Sequence, residues 1–442
     1  MKLGRQHARA GRLAAGVAGL ALVLTAVGAV VGGEDGGGGG GGVPAVPAAA
    51  GTAAAGASVS ALQAHLKKQP KDAGGWAALG AAYVEEARVS GDAARYPQAE
   101  QALSRSLELR RDDNADALAG RAALAAARHD FPAALREADR ALAVNAYGER
   151  ALAVRIDALV ELGRYQDALA AARLADSRRP GIPVFTRLAY VRELRGETAE
   201  ARRVLQLALD SAARPADVSY TSTALGQLAW SQGDYAEALR HCGIALKAAP
   251  GNPEASECRA RALAGKGDPK GAIREFEDLV GRYPLPGRLV ALGELYEAAG
   301  QPERAREQYA VVGTYTGLAR AGGVNPDLDT ALAAADHGDR AAALRAARAE
   351  WQRRRTVHTE DALAWALHRS GKSDEALPHA RKATATGYRN ATFLFHRGMI
   401  ELAVGDSTAA RASLSLALKL NPGFSPLGSR DARRALDAVE GR

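Results

Sequence analysis

A Gly followed five residues later by an Ala recurs along most of this chain, and this pattern constrains the fold more than any other feature. The glycines are Gly163, Gly196, Gly233, Gly267, Gly300, Gly338, Gly371 and Gly405. The alanines are Ala168, Ala201, Ala238, Ala272, Ala305, Ala343, Ala376 and Ala410. The average interval of about 34 residues is typical of an array of stacked units.

Each repeated unit is predicted to be a pair of antiparallel helices. An apolar-periodic helix ends at the Gly, because Gly readily adopts the left-handed conformation that stops a helix. The Ala lies where two helices cross closely, since a larger side chain would push them apart. Aspartates that can cap the next helix follow four of the glycines, and these are Asp234, Asp268, Asp339 and Asp406. Prolines end several second helices, and these are Pro180, Pro250, Pro284 and Pro422.

The composition agrees with an all-α array. The chain of 442 residues is 47% apolar but only 5% aromatic, so its buried side chains are mostly small. Its net charge of +8 falls to +6 without residues 1–35, which is too dilute for a nucleic-acid-binding surface. Since each helix pair leaves one apolar face open, neighbouring units must stack to cover it, and the fold class predicted is an α-solenoid.

The segment 1–31 is predicted to be a signal peptide or a membrane anchor. Four basic residues precede the uncharged apolar run Leu13–Val31, which is just long enough to cross a bilayer at ~20 residues per crossing. Val27-Gly28-Ala29 could be a signal peptidase site, so cleavage and retention both remain open. In either case the rest of the chain is expected outside the cytoplasm, secreted or anchored at the cell envelope.

Three further segments follow. Residues 32–57 are almost entirely Gly, Ala and Pro, which favours a disordered linker. Residues 58–424 hold the repeats, beginning with a half-unit, and are irregular near 310–330. Residues 425–442 are predicted to form a C-terminal capping helix with a polar outer face.

The repeated units resemble tetratricopeptide repeats. The best matches are WAALGAAY at Trp76–Tyr83, ALGQLAWSQGDYAEALRHCGIALKAAP at Ala224–Pro250, RLVALGELYEAAGQPERA at Arg288–Ala305 and RGMIELAVGDSTAARASLSLALKLNP at Arg397–Pro422. The resemblance implies a right-handed superhelix of about nine to ten units. It also implies a non-catalytic scaffold that binds a protein or peptide along its concave face.

The chain departs from the family's pattern at three places. Extra residues separate Tyr83 from Tyr96, Thr198 stands where an aromatic residue is expected, and residues 310–330 lack the usual Ala-Leu. Two alternatives to the scaffold are therefore kept open. One is a hydrolase with a site in the irregular 310–330 region, and the other is an assembly factor for an envelope complex.

The concave face would be formed by the first helix of each unit. Counted from each Gly, the candidates for partner binding are Tyr190, Tyr220, Gln227, Trp230, Arg261, Glu294, Trp365 and Phe395. Aromatic and Arg side chains are common at binding surfaces. The alternative for each residue is a partly buried packing role. The Lys–Asn pairs with which many family members hold a peptide carboxylate are missing at the matching positions.

The two cysteines, Cys242 and Cys258, are the remaining candidates for chemistry. Two Cys alone cannot form a zinc site, and the sequence shows no positioned base for a nucleophilic Cys. No catalytic residue, metal or cofactor is therefore predicted. The cysteines fall on neighbouring helices of adjacent units, so a disulfide and two separate buried thiols are both possible.

Overall fold

In the computed structural model, residues 49–90, 94–321 and 327–441 are described, and every regular element among them is an α-helix. Ten helices have the role of first helix in a unit: α2 (Ala73–Ser90), α4 (Ala115–Ala127), α6 (Glu149–Glu161), α8 (Ile182–Leu194), α10 (Pro215–Ser231), α12 (Pro253–Lys266), α14 (Pro286–Ala298), α16 (Asp327–His337), α18 (Val357–Arg369) and α20 (Ala391–Ala403). Their partners are α3 (Arg95–Leu109), α5 (Phe131–Val144), α7 (Tyr165–Arg178), α9 (Thr198–Asp210), α11 (Tyr235–Ala248), α13 (Pro269–Arg282), α15 (Pro302–Ala321), α17 (Arg340–Arg353), α19 (Ser373–Ala383) and α21 (Ser407–Leu420).

These pairs make an α-solenoid of ten units within the described residues, in agreement with the number and fold class expected. A single helix flanks the array at each end, α1 (Ala49–Lys68) before it and α22 (Pro426–Val439) after it. Helix α1 begins at Ala49, so its first two turns lie in the segment that was predicted to be a disordered linker. The predicted signal or anchor segment and the rest of the linker lie outside the described residues.

The turn between the two helices of a unit is made by the repeated Gly. Seven of the eight predicted glycines have φ between +71° and +95°, which is the left-handed region that L-residues avoid. Gly338 is the exception, since it is not among the residues with positive φ and the turn after α16 closes differently. The prediction that Gly stops the first helix is confirmed at the other seven positions.

The predicted helix caps are also present. Asp234, Asp268, Asp339 and Asp406 each accept a hydrogen bond from a backbone N–H in the first turn of α11, α13, α17 or α21. Such a cap satisfies one of the backbone donors that a helix start leaves without a partner. The polar residue after the Gly therefore starts the second helix, as the spacing predicted.

The repeated alanines lie at the closest helix crossings. None of the eight is more than 2% exposed. Ala loses no side-chain entropy on burial and lets two helix backbones approach. Small side chains therefore recur in the core clusters at the helix crossings of successive units.

Two of the three departures from the family's pattern correspond to longer helices in the described residues. Helix α2 runs to Ser90, so part of the extra sequence after Tyr83 is helical. Helix α15 runs without interruption for 20 residues, to Ala321, through the first part of the segment predicted to be irregular.

The array also curves far enough to touch itself. The turns after α6, α8 and α10 contact the loops before α18, α20 and α22, respectively. Tyr165 and Val357, which are far apart in the chain, are joined by a hydrogen bond in this way. At about 34 residues per unit, their separation is roughly five and a half units. We call this contact the seam; it consists of residues 161–165, 195–196 and 230–235 on one side and 354–357, 387 and 420–423 on the other.

Candidate functional site

Five of the predicted partner-binding residues lie on the first helices of three consecutive units and are partly exposed. Tyr220, Gln227 and Trp230 are on α10, Arg261 is on α12 and Glu294 is on α14. We call this surface the middle first-helix face. Adjacent first helices place Trp230 and Arg261 next to one another, as expected for the concave side of a solenoid.

The Arg261 side chain is held in place by its neighbours. Its Nε donates a hydrogen bond of 3.0 Å to Glu257, and its guanidinium lies 5.6 Å from the centre of the Trp230 ring. A guanidinium at this distance from an indole is attracted by the ring's negative face. Arg261 is therefore pre-organised while a quarter of its side chain remains exposed, at 26%.

Glu257 and Arg288 complete this charged group, and sequence reasoning missed both. Arg288 is buried, and its Nε donates a hydrogen bond of 2.9 Å to the second carboxylate oxygen of Glu257. Burial alone would raise the pKa of Glu257, but Arg261 and Arg288 outweigh it and hold this pKa below its ordinary value. The sequence did place a Glu and an Arg on adjacent first helices, which could have suggested this ion pair. Glu257 and Arg288 are, however, fewer residues apart than the repeat interval, so the repeat did not align them.

Glu294 connects the middle first-helix face to the C-terminal end of the array. Its Oε2 accepts a hydrogen bond of 2.8 Å from Ser425, in the loop that leads into α22. Its other oxygen lies 3.6 Å from Nε2 of His337. The C-terminal helix therefore borders the face on one side.

The other three predicted residues are buried, so they do not line an open groove in this structure. Tyr190 lies in a core cluster that also contains Val357 and Phe393 from units far along the chain. Trp365 stacks on His396 with ring centres 4.1 Å apart, and Phe395 packs against Phe424. The seam covers Tyr190, whereas Trp365 and Phe395 are covered by rings of the next segments, His396 on α20 and Phe424 after α21.

A comparison of sequences identifies the repeats in two segments of the array. A family model described as tetratricopeptide repeat matches residues 223–285 and 362–423. These two segments carry tetratricopeptide repeats. No curated protein sequence matches the chain.

Several solved structures are similar to this tetratricopeptide-repeat array. The APC/C hetero-tetramer Cut9–Hcn1 is 15% identical, over 88% of this chain and 83% of that chain, with a TM-score of 0.43. The human IFIT1 dimer with PPP-AAAA is 14% identical, over 77% and 90%, with a TM-score of 0.45. A tetratricopeptide repeat protein from Parabacteroides merdae is 18% identical, over 59% and 98%, with a TM-score of 0.34.

The two cysteines face each other across a boundary between repeats. Cys242 on α11 and Cys258 on α12 are both buried, and their Cα atoms are 6.2 Å apart, within the range that a disulfide can bridge. Their sulfurs are placed in bonding contact. Gly226 on α10 provides the space, because a Cβ there would lie 2.7 Å and 2.8 Å from the two sulfurs.

Neither a metal site nor a membrane-spanning helix occurs in the described part of the tetratricopeptide-repeat array. No three His, Cys, Asp or Glu residues come together there in a way that could hold a metal ion. No helix of residues 49–90, 94–321 or 327–441 combines the length and apolar character needed to cross a bilayer.

Proposed function

We propose that this tetratricopeptide-repeat chain is a non-catalytic scaffold that binds a protein or peptide partner through its middle first-helix face. We further propose that it does so at the cell envelope, as an exported chain that is either released or kept at the membrane by residues 13–31.

The observation that supports binding is the ordered, partly exposed group formed by Trp230, Arg261 and Glu257. An aromatic ring and a guanidinium that are already fixed lose little entropy when a partner binds. Such groups also supply most of the energy at typical protein interfaces. The face offers an indole and a phenol for apolar contacts, and charges of both signs for hydrogen bonds to a polypeptide.

The envelope location is supported by the sequence of residues 1–31, a basic segment followed by an apolar run. It is tested by adding protease to intact cells and to spheroplasts that express the full chain. Degradation in spheroplasts with no membrane disruption supports the proposal. Protection until the membrane is dissolved contradicts it.

Binding is tested by recovering partners with the full-length chain, using two arginines on α12 that face different ways. Arg261 points to the middle first-helix face, whereas Arg259 pairs with Glu275 on α13. We expect R261A to reduce partner recovery about tenfold, the effect of losing about 1.4 kcal/mol of binding energy.

The matched control is R259A, which should recover the partner as well as the unmodified chain. Equal recovery by both variants would show that the partner does not use the middle first-helix face. Turnover of hydrolase substrates by the purified chain, unchanged by R261A, would contradict a non-catalytic scaffold.

A further inference from the structure

The seam joins parts of the chain that the repeat pattern does not require to meet. In a solenoid each unit is stabilised by its immediate neighbours. The seam instead connects turns and loops roughly five and a half units apart, in three contacts that advance in step along both sides. Such an interface can separate while every unit remains folded.

The first contact is a buried ion pair. Arg354, in the loop before α18, pairs with Glu161 at the end of α6 and with Glu350 on its own side of the seam, and all three side chains are buried. Its guanidinium also lies 5.5 Å from the centre of the Phe131 ring. Beside it, the backbone N–H of Val357 donates a hydrogen bond of 2.8 Å to the Tyr165 hydroxyl.

The second contact is a close approach of two backbones at glycines. Gly196, in the turn after α8, lies against Gly387, in the loop before α20. A Cβ on Gly196 would overlap the carbonyl oxygen of Gly387, and a Cβ on Gly387 would lie 2.9 Å from the carbonyl oxygen of Arg195. Both positions must therefore lack a side chain for the seam to close.

The third contact is a hydrogen-bond network around Asn421, which is buried. Its Nδ2 donates a bond of 2.8 Å to the carbonyl of Trp230, and its Oδ1 accepts one of 2.5 Å from the Tyr235 hydroxyl. The same hydroxyl accepts a bond of 2.7 Å from the backbone N–H of Gly423. The repeat residue Tyr235, one position after the cap of α11, thus has a second role across the seam.

Closing the seam covers part of the first-helix surface. Val357 and Phe393 come to lie in one core cluster with Tyr190 and Leu194 of α8. The second part of the array thus packs against Tyr190, a residue of the predicted concave side, and against Leu194 on the same helix. The middle first-helix face stays partly open beside them.

The chemistry of the seam favours an interface that is stable but reversible. Its three contacts are an ion pair, hydrogen bonds and glycine backbones, with the apolar cluster of α8, Val357 and Phe393 beside them. Interfaces inside a chain that are partly polar in this way commonly allow relative motion. Burying Arg354 with Glu161 and Glu350 removes all three charges from water, and this desolvation cost offsets much of their attraction. The cost is recovered when the seam opens and the charges return to water. Opening also exposes the apolar side chains of α8.

We propose that the seam is a latch that controls access to the first-helix face. When it opens, Tyr190 and Leu194 extend the middle first-helix face, so the full surface accommodates a polypeptide segment with apolar side chains. The polypeptide partner rests on the function proposed above, whereas the opening of the seam does not depend on any partner.

The opening is tested on the full chain by spin labels at two exposed positions on opposite sides of the seam, introduced as Gln166→Cys and Gln352→Cys. The variant Gly196→Ala should move the distance distribution to longer values. The control is Gly300→Ala, because Gly300 has nearly the same φ of +74° but nothing within 4 Å of its Cβ position. Equal distributions for the two variants would overturn the latch.

A milder variant covers the case in which Gly196→Ala does not fold. Tyr235→Phe removes only the hydroxyl that bridges to Asn421 and Gly423. It should raise the ratio of open to closed chain roughly thirtyfold, the equivalent of two lost hydrogen bonds at about 1 kcal/mol each. Tyr96→Phe, at the corresponding place in the first unit and outside the seam, should leave the ratio unchanged, and a change of equal size there would contradict the proposal.

The effect on binding is measured separately, by partner recovery with the Tyr235→Phe chain. Recovery should increase by a factor similar to the increase in open chain, because only the open state presents Tyr190 and Leu194. Opening without any gain in recovery would contradict the control of access. If no variant recovers a partner, the proposed function is contradicted. The opening of the seam is then still tested by the spin-label distances.

Discussion

Gly226 is the residue at which one methyl group should disturb the packing of three helices. It lies on α10 and faces the sulfurs of Cys242 on α11 and Cys258 on α12. Replacing Gly by Ala inside a helix normally stabilises a protein by about 0.5–1 kcal/mol, because the unfolded chain loses conformational freedom. At Gly226 the new methyl group has no room, so we expect the opposite sign.

The size of the effect follows from the distances. The new Cβ would lie 2.7 Å from one sulfur, whereas ordinary contact begins near 3.4 Å, so atoms must move by about 0.7 Å. Neither sulfur is at the end of a flexible exposed chain, since both cysteines are at most 2% exposed. Two helices must therefore shift, and overpacking of this kind costs about 1–3 kcal/mol. We expect Gly226→Ala to lose about 1–2 kcal/mol overall.

The control is Gly243→Ala, one residue after Cys242 on α11. A Cβ at Gly243 meets nothing within 4 Å, so this variant should gain about 0.5–1 kcal/mol. Urea unfolding followed by circular dichroism gives the difference, and hydrogen exchange in α10–α12 shows whether the change is local. If Gly226→Ala were as stable as Gly243→Ala, the sulfurs could not be packed against α10 and the reasoning would fail.

Two further predictions concern the cysteines and the histidines. We expect Cys242 and Cys258 to form a disulfide, detected as an intact mass two hydrogens lighter than after reduction. Reduction should cost about 3 kcal/mol for a loop of this length, and two free thiols would contradict the prediction. Burial lowers the pKa of His358 to about 4 in the folded state, and the positive charge of Arg354 adds to this shift. In the unfolded state His358 is protonated below about pH 6.5, so the unfolded state binds one more proton than the folded state between about pH 6.5 and pH 4. As a result, the free energy of unfolding should fall by about 2 kcal/mol between pH 7 and pH 5, and above about pH 6.5 His358 should have little effect on it. The variant His358→Gln should lose correspondingly less stability over this range in urea unfolding, and an unchanged pH dependence would show that His358 does not resist protonation.

The helix pairs could be predicted from the sequence because their causes are local. A left-handed Gly at a turn, an Asp that caps the next helix and an Ala at the crossing each act within a few residues. The same local pattern identified Cys242 and Cys258 as neighbours, since they lie on adjacent helices. Gly338 shows the limit, because its position in the repeat is regular but its backbone is not left-handed.

The exposure of the candidate binding residues was predicted only in part. Tyr220, Gln227, Trp230, Arg261 and Glu294 lie on the middle first-helix face, whereas Tyr190, Trp365 and Phe395 are buried. Tyr190, Gln227, Arg261, Glu294 and Trp365 all lie six residues before the repeated Gly, yet only Tyr190 and Trp365 are buried, so the repeat alone does not distinguish them. Tyr190 is covered by a part of the chain roughly five to six units away, whereas Trp365 and Phe395 are covered by His396 and Phe424 in the segments that follow them.

By itself, the sequence determined the α-helical repeat, its turns and caps, and the small side chains at its crossings. Only the tertiary structure decided that Asn421 meets Tyr235, that Arg354 meets Glu161, and that two glycines from distant units touch. The physical reason is that small rotations between neighbouring units add up along a solenoid. The total rotation over several units determines which distant turns meet, and this total cannot be read from the sequence of any single repeat.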